Sequence, residues 1–247
     1  MPVDIKVVEN KDEMAKQVAA EIIDLINTKK QQCQNCVLCL PTGSTPIPVY
    51  QEIVRRSKEE SIDFGHVYTF NLDEYSGLPH DHPESYHYFM NQNLFNHISI
   101  PKDHIHIPEG FDDDEQARKF AQDYESKIKQ LGGLDLAMLG IGRTGHIGFN
   151  EPGAEKNSRT RRVVLHEVTR QDAKPAFQQH GEEVPTHAVT MGIGSILDSE
   201  RIIMMATGAN KKEIVERFRT EEPSTQNPST FLKEHSNCTV FVDQAAA

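Results

Sequence analysis

The stretch Leu-Asp-Leu-Ala-Met-Leu-Gly-Ile-Gly-Arg-Thr-Gly-His-Ile-Gly-Phe-Asn-Glu-Pro-Gly, residues 134–153, constrains the fold of this chain more than any other. The apolar run Leu134 to Ile141 reads as a buried strand. It breaks into glycines at 140, 142, 145 and 148, which frame one imidazole (His146) and one carboxylate (Glu151). A strand that ends in a glycine-rich turn carrying His and Glu is how an open α/β sheet presents acid/base groups, because its ligands bind beyond the carboxyl ends of the strands. A plain strand-to-helix connection has little need of four glycines and a histidine within nine residues.

The rest of the chain repeats that rhythm. Val18, Ile22, Ile23, Leu25 and Ile26 recur at helical spacing and predict a helix over 11–29. Cys36–Leu40 is a short buried strand, 48–57 a helix and Val67–Leu72 a second strand. A helix over 84–97 would use Tyr88, Phe89, Leu94 and Phe95 as its apolar face, and a charged helix over 112–130 opens on three aspartates, which suit a helix N-terminus. After strand 134–141 come strand-like 163–165, then strands 188–191 and 201–206 with a short helix between, a helix over 211–218, and a last strand over 238–242. Alternation at this spacing predicts an α/β fold: an open, mostly parallel, doubly wound (modified Rossmann-like) sheet with helices on both faces. The expectation is one domain over 1–247, with the polar, arginine-containing stretch 155–187 as a lid.

Composition excludes whole classes of partner. Lys plus Arg number 26 against 37 Asp plus Glu, a net charge of −11, which disfavours nucleic acid and anionic membranes. No 18-residue apolar run exists, and the first ten residues lack the basic-then-apolar layout of a signal peptide, so the expected compartment is the cytoplasm. Cys33, Cys36 and Cys39 have a suggestive spacing but no fourth ligand nearby, and Cys39 sits in an apolar run where a thiol behaves as a core group. No metal is expected on these cysteines.

Three further motifs sit where strands give way to helices. Thr42-Gly43-Ser44-Thr45 can cradle a phosphate through backbone N–H groups and hydroxyls, or can simply cap the next helix. It is not a Walker A loop, since Gly-Lys-Ser/Thr is missing. Asn71-Leu72-Asp73-Glu74-Tyr75 places acids at the end of the second strand, where Asp73 can act as a general base. A metal site on the nearby His80, His82 and His87 is the competing idea, though their spacing matches no familiar site. Arg159, Arg161, Lys211 and Lys212 can supply positive charge for an anionic substrate, and Lys211 again follows a strand.

Taken together, LPTGSTP (40–46), FNLDEYSGL (70–78), HPESYHYFM (82–90), LGIGRTGHIGFNEPG (139–153), SRTR (158–161) and TGANKKE (207–213) resemble the glucosamine-6-phosphate deaminase/isomerase family, within the larger group that includes 6-phosphogluconolactonases. The resemblance covers nearly the whole chain in family order, and GHIGFNEPG is specific to the deaminase branch. It implies that D-glucosamine 6-phosphate and water give D-fructose 6-phosphate and ammonium, as a step of amino-sugar catabolism, with no metal or organic cofactor required. It implies Asp73 as the base that moves a proton from C2 to C1 through a cis-enolamine, His146 as the group that opens the sugar ring, and Glu151 as the partner that orients His146. Thr42, Gly43, Ser44 and Thr45 with Lys211 would hold the phosphate, and Arg161 would belong to the lid or effector region. The partner is a small phosphosugar; homo-oligomerisation stays open.

Three departures bear on these roles. Thr144 stands where the family carries Asp or Asn, which removes an acid partner of His146. Lys174-Pro175 replaces a lid arginine, leaving Lys174 to bring charge as a point rather than a fork. Val163 replaces a basic effector-site residue, and the sequence ends at Ala247, before the extension of allosterically regulated members, so activation by N-acetylglucosamine 6-phosphate is not expected. The residues leave room for a galactosamine 6-phosphate enzyme, a phosphosugar lactonase or a non-catalytic phosphosugar-binding regulator.

Overall fold

The computed structural model describes residues 3–247. Its centre is a seven-stranded parallel sheet made of β1 (Asp4–Val8), β2 (Cys36–Leu40), β3 (Val67–Asn71), β5 (Ile105–His106), β6 (Leu136–Gly140), β9 (Ile202–Ala206) and β10 (Cys238–Asp243). The spatial order is β1-β10-β9-β6-β2-β3-β5. The chain therefore runs outward from β2 through β3 to β5, then returns to lay β6 on the other side of β2. That reversal between β2 and β6 is a topological switch point, where an open α/β sheet forms its ligand crevice.

Alternation along the strands builds a core on each face. Cys36, Leu38 and Leu40 pack with Met138, Ile203, Met205 and Phe241 against α1 (Lys11–Gln31) and α2 (Ile47–Glu60). Val37 and Cys39 point the other way, with Ala137, Leu139, Met204 and Val240, against α4 (Asp114–Gln130), α6 (Ile193–Leu197) and α7 (Lys212–Thr220). Asp135, a charge inside an otherwise apolar run, accepts from the Val37 N–H at 2.7 Å and pairs with Lys29 of α1. Cys36 and Cys39 are core residues, and burial pushes the Cys36 thiol up to about 12.

The predicted doubly wound sheet is present, but two details differ from the sequence reading. The expected helix over 84–97 is α3 (Tyr86–Asn93), followed by a 3-10 turn at Phe95–His97, and Tyr88 is exposed rather than part of the apolar face. Strands 163–165 and 188–191 do not enter the main sheet. As β7 (Arg161–Val164) and β8 (His187–Thr190) they join β4 (Asp73–Tyr75) in a small antiparallel sheet ordered β4-β8-β7. Within the stretch 166–187 lies a helix, α5 (Glu167–Gln178). Tyr75, Phe149, Leu165, Phe177, Val184 and Ala188 form a third apolar cluster beneath this sheet.

Asn150 locks the small sheet to the loop after β6. Fully buried, it donates to the carbonyls of Met191 (2.7 Å) and Ile147 (2.9 Å) and accepts from Arg161 at 2.9 Å. An apolar side chain there orphans three groups at once, each worth about 1–3 kcal/mol when buried and unpaired. Asn150→Leu is therefore expected to cost about 2–4 kcal/mol of stability, read as a clear drop in the thermal midpoint. An unchanged midpoint would show that water repairs the gap.

Candidate active site

Four loops leave the carboxyl ends of four neighbouring strands, β3, β2, β6 and β9, and meet at the switch point. The loop after β2 holds Thr42–Thr45. Gly43 adopts φ +91°, a left-handed conformation that glycine reaches without strain. The N-cap position of α2 is taken by Pro46, and no side chain caps the helix. The capping role open to Ser44 and Thr45 is therefore not taken. The Thr42 hydroxyl instead meets that of Tyr86.

Asp73 follows β3 after one residue, Leu72. The Leu72 N–H donates to the Leu40 carbonyl of the main sheet at 3.2 Å, and its carbonyl accepts from the Met191 N–H at 2.7 Å. The chain thus leaves one sheet and enters the other within a single residue, and Asp73 becomes the first residue of β4. It is 5% exposed, and its carboxyl is raised well above the ordinary value of 3.8, first by burial and then by the neighbouring Glu74 carboxylate. Glu74 points away and accepts from the Tyr75, Tyr86 and His87 N–H groups and from the His87 ring.

The loop after β6 brings its own groups to Asp73. A Cβ on Gly148 (φ +56°) would lie 3.0 Å from Asp73 Oδ2, so a bare backbone is what lets the two approach. A Cβ on Gly142 would fall 2.0 Å from the His146 ring, which lies flat against that peptide. His146 Nδ1 sits 2.8 Å from Thr144 Oγ1 and 3.2 Å from Glu151 Oε2. Thr144 Oγ1 also donates to Glu151 Oε2 at 3.0 Å. Because the hydroxyl gives its one proton to Glu151, it accepts from Nδ1–H, which assigns the tautomer and leaves His146 Nε2 free. Thr169 of α5 donates to Glu151 Oε1. Burial acts to raise the Glu151 pKa, but His146 and the two threonine hydroxyls outweigh it, and the net shift is downward.

The expected loss at Thr144 is thus made good in another form: the hydroxyl bridges the imidazole and the carboxylate. Lys211, after β9, donates to the Ile141 carbonyl at 2.7 Å, which seats its ammonium at the end of β6. Burial lowers its pKa. Arg161 pairs with Thr190 in β8, and Thr190 pairs with Asp73 in β4, so all three share one cross-strand row.

The sequence reading missed Tyr86 and Arg143. Tyr86 stacks on Phe149 and lies against Tyr75, two residues along β4 from Asp73. Its place in the His-Pro-Glu-Ser-Tyr stretch was visible, but the helix face was counted from Tyr88. Arg143 forms a two-pronged ion pair with Asp172 of α5, whereas Lys174 is exposed two residues further along. His80 and His87 stack in parallel planes 3.6 Å apart, His80 facing Glu109 and His87 facing Glu74, while His82 bonds Glu182.

Residues 9–241 match the family model described as glucosamine-6-phosphate isomerases/6-phosphogluconolactonase. A Thermoanaerobacter sp. (strain X514) protein named glucosamine-6-phosphate deaminase is 46% identical over 242 residues, covering 96% of this chain and 91% of that protein. Glucosamine-6-phosphate deaminase 1 of Giardia intestinalis is 42% identical over 94% of this chain and 85% of its own length. The solved structure of a monomeric glucosamine-6-phosphate deaminase superposes with a TM-score of 0.92 at 38% identity, covering 99% of this chain and 98% of that one. A 6-phosphogluconolactonase from Thermotoga maritima shares the fold, with a TM-score of 0.76 at 21% identity over 98% of this chain and all of that one.

The state of Asp73 makes a stability test. Its folded pKa is raised, so the folded protein bears the cost of ionising it once the pH exceeds the unfolded value of about 3.9. Asp73→Asn removes that cost. The variant is expected to melt higher than the wild type at pH 7, with the gain shrinking as the pH falls towards about 4 and gone below it, where both states hold the proton. A variant that melts lower at pH 7 would show Asp73 to be a structural anchor instead.

Proposed function

This chain belongs to the glucosamine-6-phosphate isomerase/6-phosphogluconolactonase family, and we infer that it is a cytoplasmic deaminase that turns D-glucosamine 6-phosphate and water into D-fructose 6-phosphate and ammonium. The observation that supports the reading is that the loop after β6 carries both the glycine packed against the buried carboxylate of Asp73 and the imidazole of His146, whose Nδ1 is held by Thr144, at one strand-end rim.

His146 Nε2 moves a proton between the ring oxygen and the anomeric hydroxyl, opening the pyranose to the aldehyde. Thr144 and Glu151 hold the ring in place, as a carboxylate orients a catalytic histidine. Asp73 then takes the C2 proton. The C2–H electrons form a C1=C2 double bond and the aldehyde oxygen takes up a proton, giving the enolamine. Return of the proton from Asp73 to C1 leaves an imine at C2, which water hydrolyses to the ketone and ammonia. The apolar, aromatic wall of Tyr75, Tyr86 and Phe149 holds Asp73 basic enough for this task, since a carboxylate with a raised pKa is a stronger base. The Thr42–Thr45 loop and Lys211 hold the phosphate, Arg161 steadies Asn150 beside Glu151, and the 155–187 segment covers the substrate as a lid.

An assay of glucosamine 6-phosphate that follows ammonium and fructose 6-phosphate together tests the reading; absence of both products would sink it. Asp73→Asn is expected to lose at least about 10²-fold in kcat while still binding substrate. Thr144→Val, which keeps the shape but not the hydroxyl, is expected to lower kcat about tenfold with KM nearly constant, because proton transfer and not binding is impaired. Equal kcat in that variant would mean that Glu151 alone positions His146.

A further inference from the structure

Arg143 is the unexplained charge beside the site. It stands between Gly142, on which the His146 ring rests, and Thr144, which bonds that ring. Its guanidinium holds both oxygens of Asp172, with Nε to Oδ2 at 2.9 Å and a second bond from Nη2 to Oδ1. Lys211 lies against the same turn, on the Ile141 carbonyl two residues earlier, and its charge is felt by both Arg143 and Asp172. Two cations and one carboxylate are therefore gathered at the end of β6, next to the proposed phosphate end of the pocket.

Asp172 also has a neighbour in this role. Thr169, three residues before it on α5, donates to Glu151. Residues three apart share a helix face, so one face of α5 grips the 143–151 loop at two points, Arg143 and Glu151. Lys174, two residues past Asp172, lies on another face. The charge that the sequence reading sought on Lys174 is in place on Arg143.

We propose that Arg143 is a phosphate-recognition residue of this pocket, and that Asp172 is a built-in competing anion which the substrate's phosphate displaces. The proposal rests on the phosphosugar reading above only for the identity of the anion. The guanidinium fork fits a phosphate as it fits a carboxylate, with two parallel hydrogen bonds. A phosphomonoester near pH 7 carries about 1.5–2 negative charges against one on Asp172, so it is the stronger partner for the Arg143–Lys211 pair. The pair it must break is half exposed on both sides, and exposed ion pairs are weak. Exchange frees Asp172 and removes one of the two grips of α5, so phosphate arrival is coupled to the position of the helix whose Thr169 holds Glu151.

The test is calorimetric titration of the full chain with inorganic phosphate, in the wild type, Arg143→Gln and Asp172→Asn, beside steady-state kinetics with glucosamine 6-phosphate. Arg143→Gln is expected to weaken phosphate at least about tenfold, the scale of one charge-assisted bidentate contact. Asp172→Asn is expected to tighten it, and KM is expected to move with the phosphate affinity in each variant. Arg143→Lys, which keeps the charge without the fork, is expected to fall between Arg and Gln and serves if the Gln variant does not fold. Wild-type phosphate affinity in both Arg143 variants overturns the assignment. Weaker binding in Asp172→Asn overturns the competition and makes Asp172 a support for Arg143. The titration reads out without turnover, so a protein inactive on glucosamine 6-phosphate would refute the deaminase reading while leaving this one to be judged on phosphate alone.

Discussion

The chemistry of this protein depends on how the chain passes Leu72. One residue whose N–H serves the seven-stranded sheet and whose carbonyl meets the strand region of the three-stranded sheet fixes where Asp73 begins. Had β3 run on by two residues, Asp73 would stand at the rim of the main sheet in water, as an ordinary solvated acid. The switch of sheet instead turns it into a pocket walled by Tyr75, Tyr86 and Phe149, where desolvation raises its pKa. The cost of holding a carboxylate there is met by packing elsewhere, which is the usual relation between an active group and its scaffold.

The same small sheet ties the other reacting groups to that position. Thr190 of β8 stands between Asp73 and Arg161 in one row, and its hydroxyl accepts from the Phe149 N–H at 3.1 Å. Arg161 holds Asn150, and Asn150 holds Met191 and Ile147. The loop that carries His146 and Glu151 is therefore pinned to the strand pair that positions Asp73, rather than draped over the main sheet. Base and imidazole are placed by one rigid unit, which proton transfers over short distances demand. On its outer side the loop meets α5, and the contacts between the two are a hydroxyl and an exposed ion pair. The groups that react are fixed on the inside, and the contacts able to change are on the outside.

Much of this was legible in the sequence, and the reason is periodicity. Apolar runs that end in Gly, Asp or Thr mark the carboxyl ends of buried strands, so the strand rhythm alone assembled residues 42–45, 73, 146, 151 and 211 at one rim. The antiparallel sheet was not legible. β4 is Asp-Glu-Tyr, with no apolar alternation, and β7 opens on two arginines whose partner strand lies over twenty residues away. Thr144 looked like a loss because charges were counted; a hydroxyl, able to donate and accept at once, does the joining that a second carboxylate would do beside Glu151. Arg143 was passed over because a charge in a glycine-rich turn has no periodicity to read, and its meaning lies in Asp172, a contact set by tertiary structure.

The global charge sharpens that last point. A chain with net charge −11 repels a dianionic substrate at long range, so attraction has to be built locally. Lys211 and Arg143 supply it at the end of β6, but two cations so close to one another repel unless an anion lies between them. Asp172, carried on α5, the helix that also holds Glu151, pairs with Arg143 and lies within the field of Lys211. An internal anion keeps the cations gathered and can yield to a stronger one, and its tether to α5 turns the exchange into a displacement. The acidity of the protein and the fork on Arg143 are then two sides of one arrangement, in which one internal carboxylate offsets part of a local positive charge that still favours phosphate.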